Sequence, residues 1–281
     1  MQKLDRLGWA AGFSFKLHGV RIGIRANGES CLNSALKCLP PSWQIASSPV
    51  VDRIYSIIGA DNSKRFGRGF NLLYGDHLQL VRSRDQGVLF RTLETDLRLY
   101  IAETTKKRIF VHAGVVGWRD KAIVIPGRSF SGKSTLVAEF VKVGASYYSD
   151  EYAVIDARGC VHPFLKPLEL RDQGDTRQTK VSISDLGGQA GTRALPVSLV
   201  LVTRFREGAA WRPRKLSPGQ GVLELLANTV SARRQPEQAM AALQKVVTTA
   251  TILKGIRGHA PNLVSTLLEL GEHGTKVKSR K

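Results

Sequence analysis

Up to about residue 92 the apolar positions come in short runs with polar residues between them, and turn residues separate the runs. The alternation predicts strands at Phe13 to Lys16, Val20 to Arg25, Val51 to Ile58, His77 to Val81 and Val88 to Arg91. Asn27-Gly28, Pro40-Pro41 and Tyr74-Gly75-Asp76 punctuate them. A small β-rich module over residues 1–106 is therefore expected, and substrate recognition is the role open to it. The period then lengthens: Leu93, Leu97, Tyr100 and Ile101 share one face of a helix that ends before Lys106-Lys107-Arg108.

Beyond that point the order changes to strand, glycine loop and helix. Strands are expected at Ile109 to Val116 and Ala122 to Ile125 around a turn at Arg119-Asp120, followed by a loop from Gly127 and a helix from Lys133 to about Val143. Further strands fit Ser146 to Tyr148, Ala153 to Ile155 and Val197 to Thr203. Residues 172 to 192, rich in glycine and polar side chains, read as a mobile loop. Helices fit Val222 to Val230, Glu237 to Lys254 and Asn262 to Leu270, ahead of a basic tail over 275–281 expected to be disordered. Alternating strands and helices build a sheet flanked by helices, so the expected fold is α/β, with the second domain over 107–274.

Composition adds limits. At 281 residues and 42% apolar content the chain can build a real core. Its longest apolar runs fall well short of the ~20 residues of a membrane helix, and charges interrupt Met1 to Trp9 where a signal peptide needs an apolar stretch. Cys31, Cys38 and Cys160 have the spacing of neither a metal site nor a disulfide framework. Free thiols suit a reducing compartment, so a soluble cytoplasmic protein is expected. The net charge of +19 has three uses: nucleic acid, an acidic protein or peptide, or solubility alone. Scattered basic residues, with no nucleic-acid-binding motif beside them, weigh against the first.

One segment carries specific chemistry. Gly127-Arg128-Ser129-Phe130-Ser131-Gly132-Lys133-Ser134 fits the phosphate-loop pattern G-x-x-x-x-G-K-[ST] and lies between an apolar strand and a helix, as the pattern requires. Curled backbone at the glycines points N–H groups at phosphate oxygens, and the helix through Thr135 adds the positive end of its dipole. Lys133 supplies charge for the β and γ phosphates, and the Ser134 hydroxyl is placed for Mg²⁺, which together imply ATP or another nucleoside triphosphate. The guanine-selecting N-K-x-D pattern is absent.

Asp150 and Glu151 are the acids best placed to complete the site, because the strand they end returns to the phosphate edge after the loop's helix. One carboxylate could take a proton from an attacking hydroxyl and the other hold the metal. Asp156, after Val154-Ile155, is a rival for the metal. His112 lies one strand earlier, and a lone strand histidine is more often a satisfied core residue than a functional one.

With these pieces in order, residues 109 to 230 resemble the catalytic domain of the HPr kinase/phosphorylase family and its shorter serine-kinase relatives. Val111-His112-Ala113-Gly114-Val115 is similar to the family's His-x-Gly strand, and Gly127 to Ser134 to its phosphate loop. Ser149-Asp150-Glu151 is similar to its paired-acid motif, and Pro167-Leu168-Glu169-Leu170-Arg171 to its later Glu-x-Arg stretch. The resemblance implies that Asp150 exchanges the hydroxyl proton and His112 supports it. Lys133 and Ser134 would bind phosphate and Mg²⁺, Glu151 would be the second acid, at the metal, and Glu169 and Arg171 would belong to the site. Full-length members usually carry Asp where this chain has Glu151, and residues 1–100 do not resemble their N-terminal domain.

The expected activity is an ATP-dependent kinase acting on a serine of a protein or peptide, and an acidic acceptor is one of the uses open to the surplus charge. Two alternatives stay open. One is a small-molecule kinase or phosphoenolpyruvate carboxykinase-like enzyme; the other is a nucleotide-binding regulator, or a basic ATPase acting on nucleic acid. A homo-oligomer is compatible with each.

Overall fold

A short helix α1 (Gln2–Asp5) precedes the hairpin of β1 (Ala11–Leu17) and β2 (Val20–Ala26). His18 and Gly19 close it at φ 50° and 89°, the left-handed pair that matches the twist of a two-residue hairpin. Val20, Ile22, Ile24 and Ala26 are buried, whereas Arg21 and Arg25 between them are only partly so. The structure is a computed structural model and describes residues 2–60, 69–128, 131–171 and 178–272. Its contacts separate two units, Met1–Lys107 and Arg108–Lys281. Both are mixed α/β. The tail expected over 275–281 lies outside the described residues.

In the first unit α2 (Glu29–Leu36) crosses from β2 to a parallel strand β4 (Arg53–Ile58), and β3 (Gln44–Ile45) adds to the edge at β1. Antiparallel strands β5 (Asn71–Gly75) and β6 (Leu78–Ser83) complete a six-stranded sheet in the order β3-β1-β2-β4-β5-β6. The helix α3 (Gln86–Thr104) follows. The strand expected at Val88 to Arg91 is instead its first turns. Two causes act together: the Asp85 carboxylate accepts the Gly87 N–H at 2.7 Å, and Leu89, Leu93, Leu97 and Ile101 recur every four residues, all buried. The unit also holds α2 and β5, which the apolar pattern did not suggest.

In the second unit β7 (Ile109–Trp118) and β8 (Lys121–Pro126) form a hairpin, closed by Arg119 and Asp120 at φ 49° and 60°. After the glycine loop come α4 (Lys133–Lys142), β9 (Ser146–Ser149) and β10 (Tyr152–Ile155). β9 pairs with the second half of β7 and β10 with the first. β11 (Cys160–His162) continues from β10, and β12 (Leu168–Arg171) and β13 (Gln178–Val181) make a separate two-stranded ribbon. The loop expected over 172 to 192 is thus partly ordered, by β13 pairing on β12 and by a 3₁₀ turn at Ser184–Leu186. Residues 172–177 lie outside the described residues.

The remaining elements are β14 (Leu195–Phe205), β15 (Arg214–Lys215), α5 (Pro218–Leu226), α6 (Pro236–Thr249), β16 (Thr251–Arg257) and α7 (Ala260–Glu272). The helix expected to run to Lys254 stops at Thr249. Ile252 and Leu253 are buried and pair in parallel with β14, so sheet burial overrides helical continuation.

The main sheet runs β11-β10-β7-β8-β14-β16-β15, and the start of β14 also pairs with β11, closing five strands into a ring. On β8, Ala122 and Val124 face a core shared with Leu225 of α5 and Leu243 of α6, while Ile123 and Ile125 face one shared with Phe140 of α4 and Leu263 of α7. Because β8, β14 and β16 are parallel, the glycine loop, Phe205 and Arg257 leave the sheet on the same edge. Among the described residues no helix is long and apolar enough to cross a membrane.

Candidate active site

The loop begins where β8 ends. The Gly127 N–H donates to the His112 carbonyl on β7 at 3.1 Å, which fixes the point of departure. Gly132 caps α4 at φ 81°, a conformation open to glycine at little cost. A Cβ there would also meet the Arg257 guanidinium, and a Cβ at Gly127 would lie 2.7 Å from Ser131 Oγ. Of the expected cofactor-binding residues, Arg128 and Thr135 are exposed, whereas Ser129 and Phe130 lie outside the described residues.

Lys133 is buried and its ammonium donates to the Arg128 carbonyl at 2.8 Å, within the loop itself. Burial lowers its pKa to about 8, against the opposing pull of the Asp150 and Glu151 carboxylates. Both acids therefore act on the loop lysine.

Ser149 shapes the turn that carries these acids. Its hydroxyl accepts the N–H groups of Glu151 at 3.1 Å and Tyr152 at 3.0 Å, bending the chain between β9 and β10. Asp150 is 7% exposed, and three donors hold it. Ser134 Oγ donates to Oδ2 at 3.1 Å, the Glu169 N–H to the same oxygen at 3.4 Å, and the Tyr147 hydroxyl lies 3.2 Å from Oδ1. Glu151 and Glu169 lie 3.5 and 3.4 Å from the Lys166 ammonium. The structure thus brings Lys133, Ser134, Asp150, Glu151 and Glu169 together. Arg171 ends β12 opposite Gln178, and its side chain lies outside the described residues.

His112 pairs with Tyr152 across β7 and β10, and burial, with the charges of Lys133 and Lys166, pushes its pKa down to about 4 despite a bond to the Gly127 backbone. It is neutral at pH 7. Asp156, the rival acid, lies at the other end of β10 from Asp150. It accepts the N–H groups of Arg158 and Cys160 and bonds His162 at 3.0 Å. Those bonds outweigh burial and lower its pKa to about 2, so it serves the β10–β11 turn.

Among the described residues no three His, Cys, Asp or Glu side chains converge as a metal site, so any cation here would need oxygens from a ligand as well. Ser131 Oγ is buried and, among the described residues, has no hydrogen-bond partner, and a Cβ at either of the loop's two glycines would crowd a neighbouring side chain, Ser131 or Arg257. Ser134 and Asp150 offer two adjacent oxygens of the kind Mg²⁺ takes, along with phosphate oxygens. Beside Tyr147 and Lys166 opens a cavity of about 520 Å³, walled mainly by Leu165, Val181, Ile183 and Ala190.

Three residues of this neighbourhood escape the sequence reading. Tyr147 and Lys166 stand close to expected residues but belong to no motif, and a spacing rule does not reach them. Arg257 arrives from β16 and donates to the Gly132 carbonyl at 3.1 Å, a contact spanning 125 residues. No protein-family model matches the chain, and no curated protein matches it.

Proposed function

We propose that this chain is an ATP-dependent phosphotransferase that moves the γ-phosphoryl group to a hydroxyl, with a serine of a protein or peptide as acceptor. The observation that carries the reading is the contact between Ser134 of the phosphate loop and the Asp150 carboxylate, 3.1 Å apart and beside Lys133. A loop alone would serve any nucleotide-binding protein. A buried carboxylate held against it gives the site a group able to take a proton. The resemblance to the HPr-kinase-like catalytic domain adds the same assignment from four short stretches.

Each residue then has a stated task. The loop N–H groups and Lys133 receive the β and γ phosphates, and Lys133 exchanges its bond to the Arg128 carbonyl for the anion. Ser134 with Asp150 or Glu151 would hold Mg²⁺, which offsets phosphate charge when bound. Asp150, kept in one orientation by Tyr147 and the Glu169 N–H, accepts the acceptor's hydroxyl proton. His112 is neutral at pH 7 and so adds no third positive charge beside Lys133 and Lys166. The cavity beside Tyr147 is a recess that could receive the acceptor.

The test is incubation with γ-labelled ATP, Mg²⁺ and candidate acceptor proteins and peptides, followed by mass spectrometry of the acceptors. Phosphoserine appearing with the active chain and absent with Lys133→Ala is the expected result. Tight ATP binding with no transfer to any hydroxyl would favour a nucleotide-dependent regulator instead.

A further inference from the structure

Arg257 is 3% exposed, an unusual position for a guanidinium, and among the described residues no carboxylate pairs with it. Its Nη2 donates to the Gly132 carbonyl at 3.1 Å and its Nη1 to the Gly258 carbonyl at 2.9 Å. The Phe205 ring lies 5.3 Å from the guanidinium carbon. Nε is buried and has no hydrogen-bond partner among the described residues. Burying an uncompensated cation is costly, and burial here pulls the group below its ordinary pKa. Neutral carbonyls alone offset little of that cost.

The location supplies a reason. Gly132 is the last residue before α4, and its carbonyl also accepts the Leu136 N–H at 3.2 Å. In a planar trans peptide the carbonyl and the next N–H point in opposite directions. Holding the Gly132 carbonyl toward Arg257 and the helix therefore aims the Lys133 N–H out of the helix end, where an anion sits. The missing counter-charge is what a polyphosphate would bring.

We infer that Arg257 is a positioning residue of the phosphate site, clamping the Gly132 peptide and placing a positive charge behind the loop for a di- or triphosphate. The inference rests on the nucleotide reading above and extends it to a residue outside every motif. Arginine suits the task because its fork can hold two carbonyls at once and it stays charged when buried.

The test compares the intact chain with Arg257→Met and Arg257→Lys by isothermal titration with Mg²⁺-ATP and with inorganic pyrophosphate. Folding of each variant is checked by circular dichroism. Loss of one charged hydrogen-bonding partner at the site should weaken both ligands by about tenfold or more in Arg257→Met. Arg257→Lys, which keeps the charge and at most one of the two bonds, should fall between. An equal loss for pyrophosphate and ATP identifies an effect on phosphate; a merely structural role would lower the melting temperature and leave the folded protein's affinity unchanged. Wild-type affinity in folded Arg257→Met overturns the inference and leaves the nucleotide reading standing. Should Arg257→Met fail to fold, unchanged affinity in Arg257→Lys overturns it in the same way. No binding of ATP or pyrophosphate by the unsubstituted chain, with Lys133→Ala as the reference, overturns both.

Discussion

The Asp150 carboxylate lies close enough to the Lys133 ammonium to act on its charge. Asp150→Asn preserves shape and an acceptor oxygen for the Glu169 N–H while removing basicity, so transfer to an acceptor should fall by about 100-fold or more. ATP affinity should move little by comparison. Transfer at the unsubstituted rate would remove Asp150 as the base. Lys133 carries a pH prediction, since its pKa in the folded protein is about 8, below the lysine value of 10.5. Below about pH 7 the ammonium is already present, and ATP binding needs no proton from this group. Above pH 8 the resting site has lost its proton, so binding must take one up, and affinity should decline as pH rises. Titration at about pH 8.5 in two buffers of different ionisation enthalpy reads that uptake directly, and Lys133→Met should abolish it. Equal apparent enthalpies in the two buffers would contradict the assignment.

Helices and strands show why some elements are legible in order and others are not. The loop and α4 follow from local rules, since a glycine pattern between an apolar strand and a helix contains its own geometry. Val88 to Arg91 is β-branched and aromatic enough to mimic a strand, yet the Asp85 cap and the four-residue spacing from Leu89 decide for α3. Asp85→Ala should therefore lower stability by about 1 kcal/mol, measured by urea denaturation. An unchanged midpoint would mean that the leucine face alone sets the start of the helix. The end of α6 was illegible for the opposite reason: Thr251 to Arg257 becomes a strand because β14 lies beside it, and β14 precedes it by some fifty residues. Arg257 escaped with it.

At the scale of the whole molecule, each unit has its own sheet and buried side chains, Phe15, Tyr55 and Leu73 in the first and Val124, Phe140 and Leu201 in the second. Every residue placed at the candidate site belongs to the second. A chain starting at Arg108 should therefore fold and bind Mg²⁺-ATP within about threefold of the full chain's affinity, a difference of under 1 kcal/mol. A folded truncation without ATP affinity would assign part of the nucleotide site to the first unit. The order of strands also sets a timetable. A ribosome releases the glycine loop 125 residues before Arg257, and at about 5–20 residues per second that is a wait of roughly 6–25 s. In the first part of that interval β8 lacks β14 at its side, and throughout it the loop lacks Arg257, so the nascent loop emerges unclamped. If Arg257 serves the phosphate site as proposed, full affinity for nucleotide would be acquired only once β16 has been made.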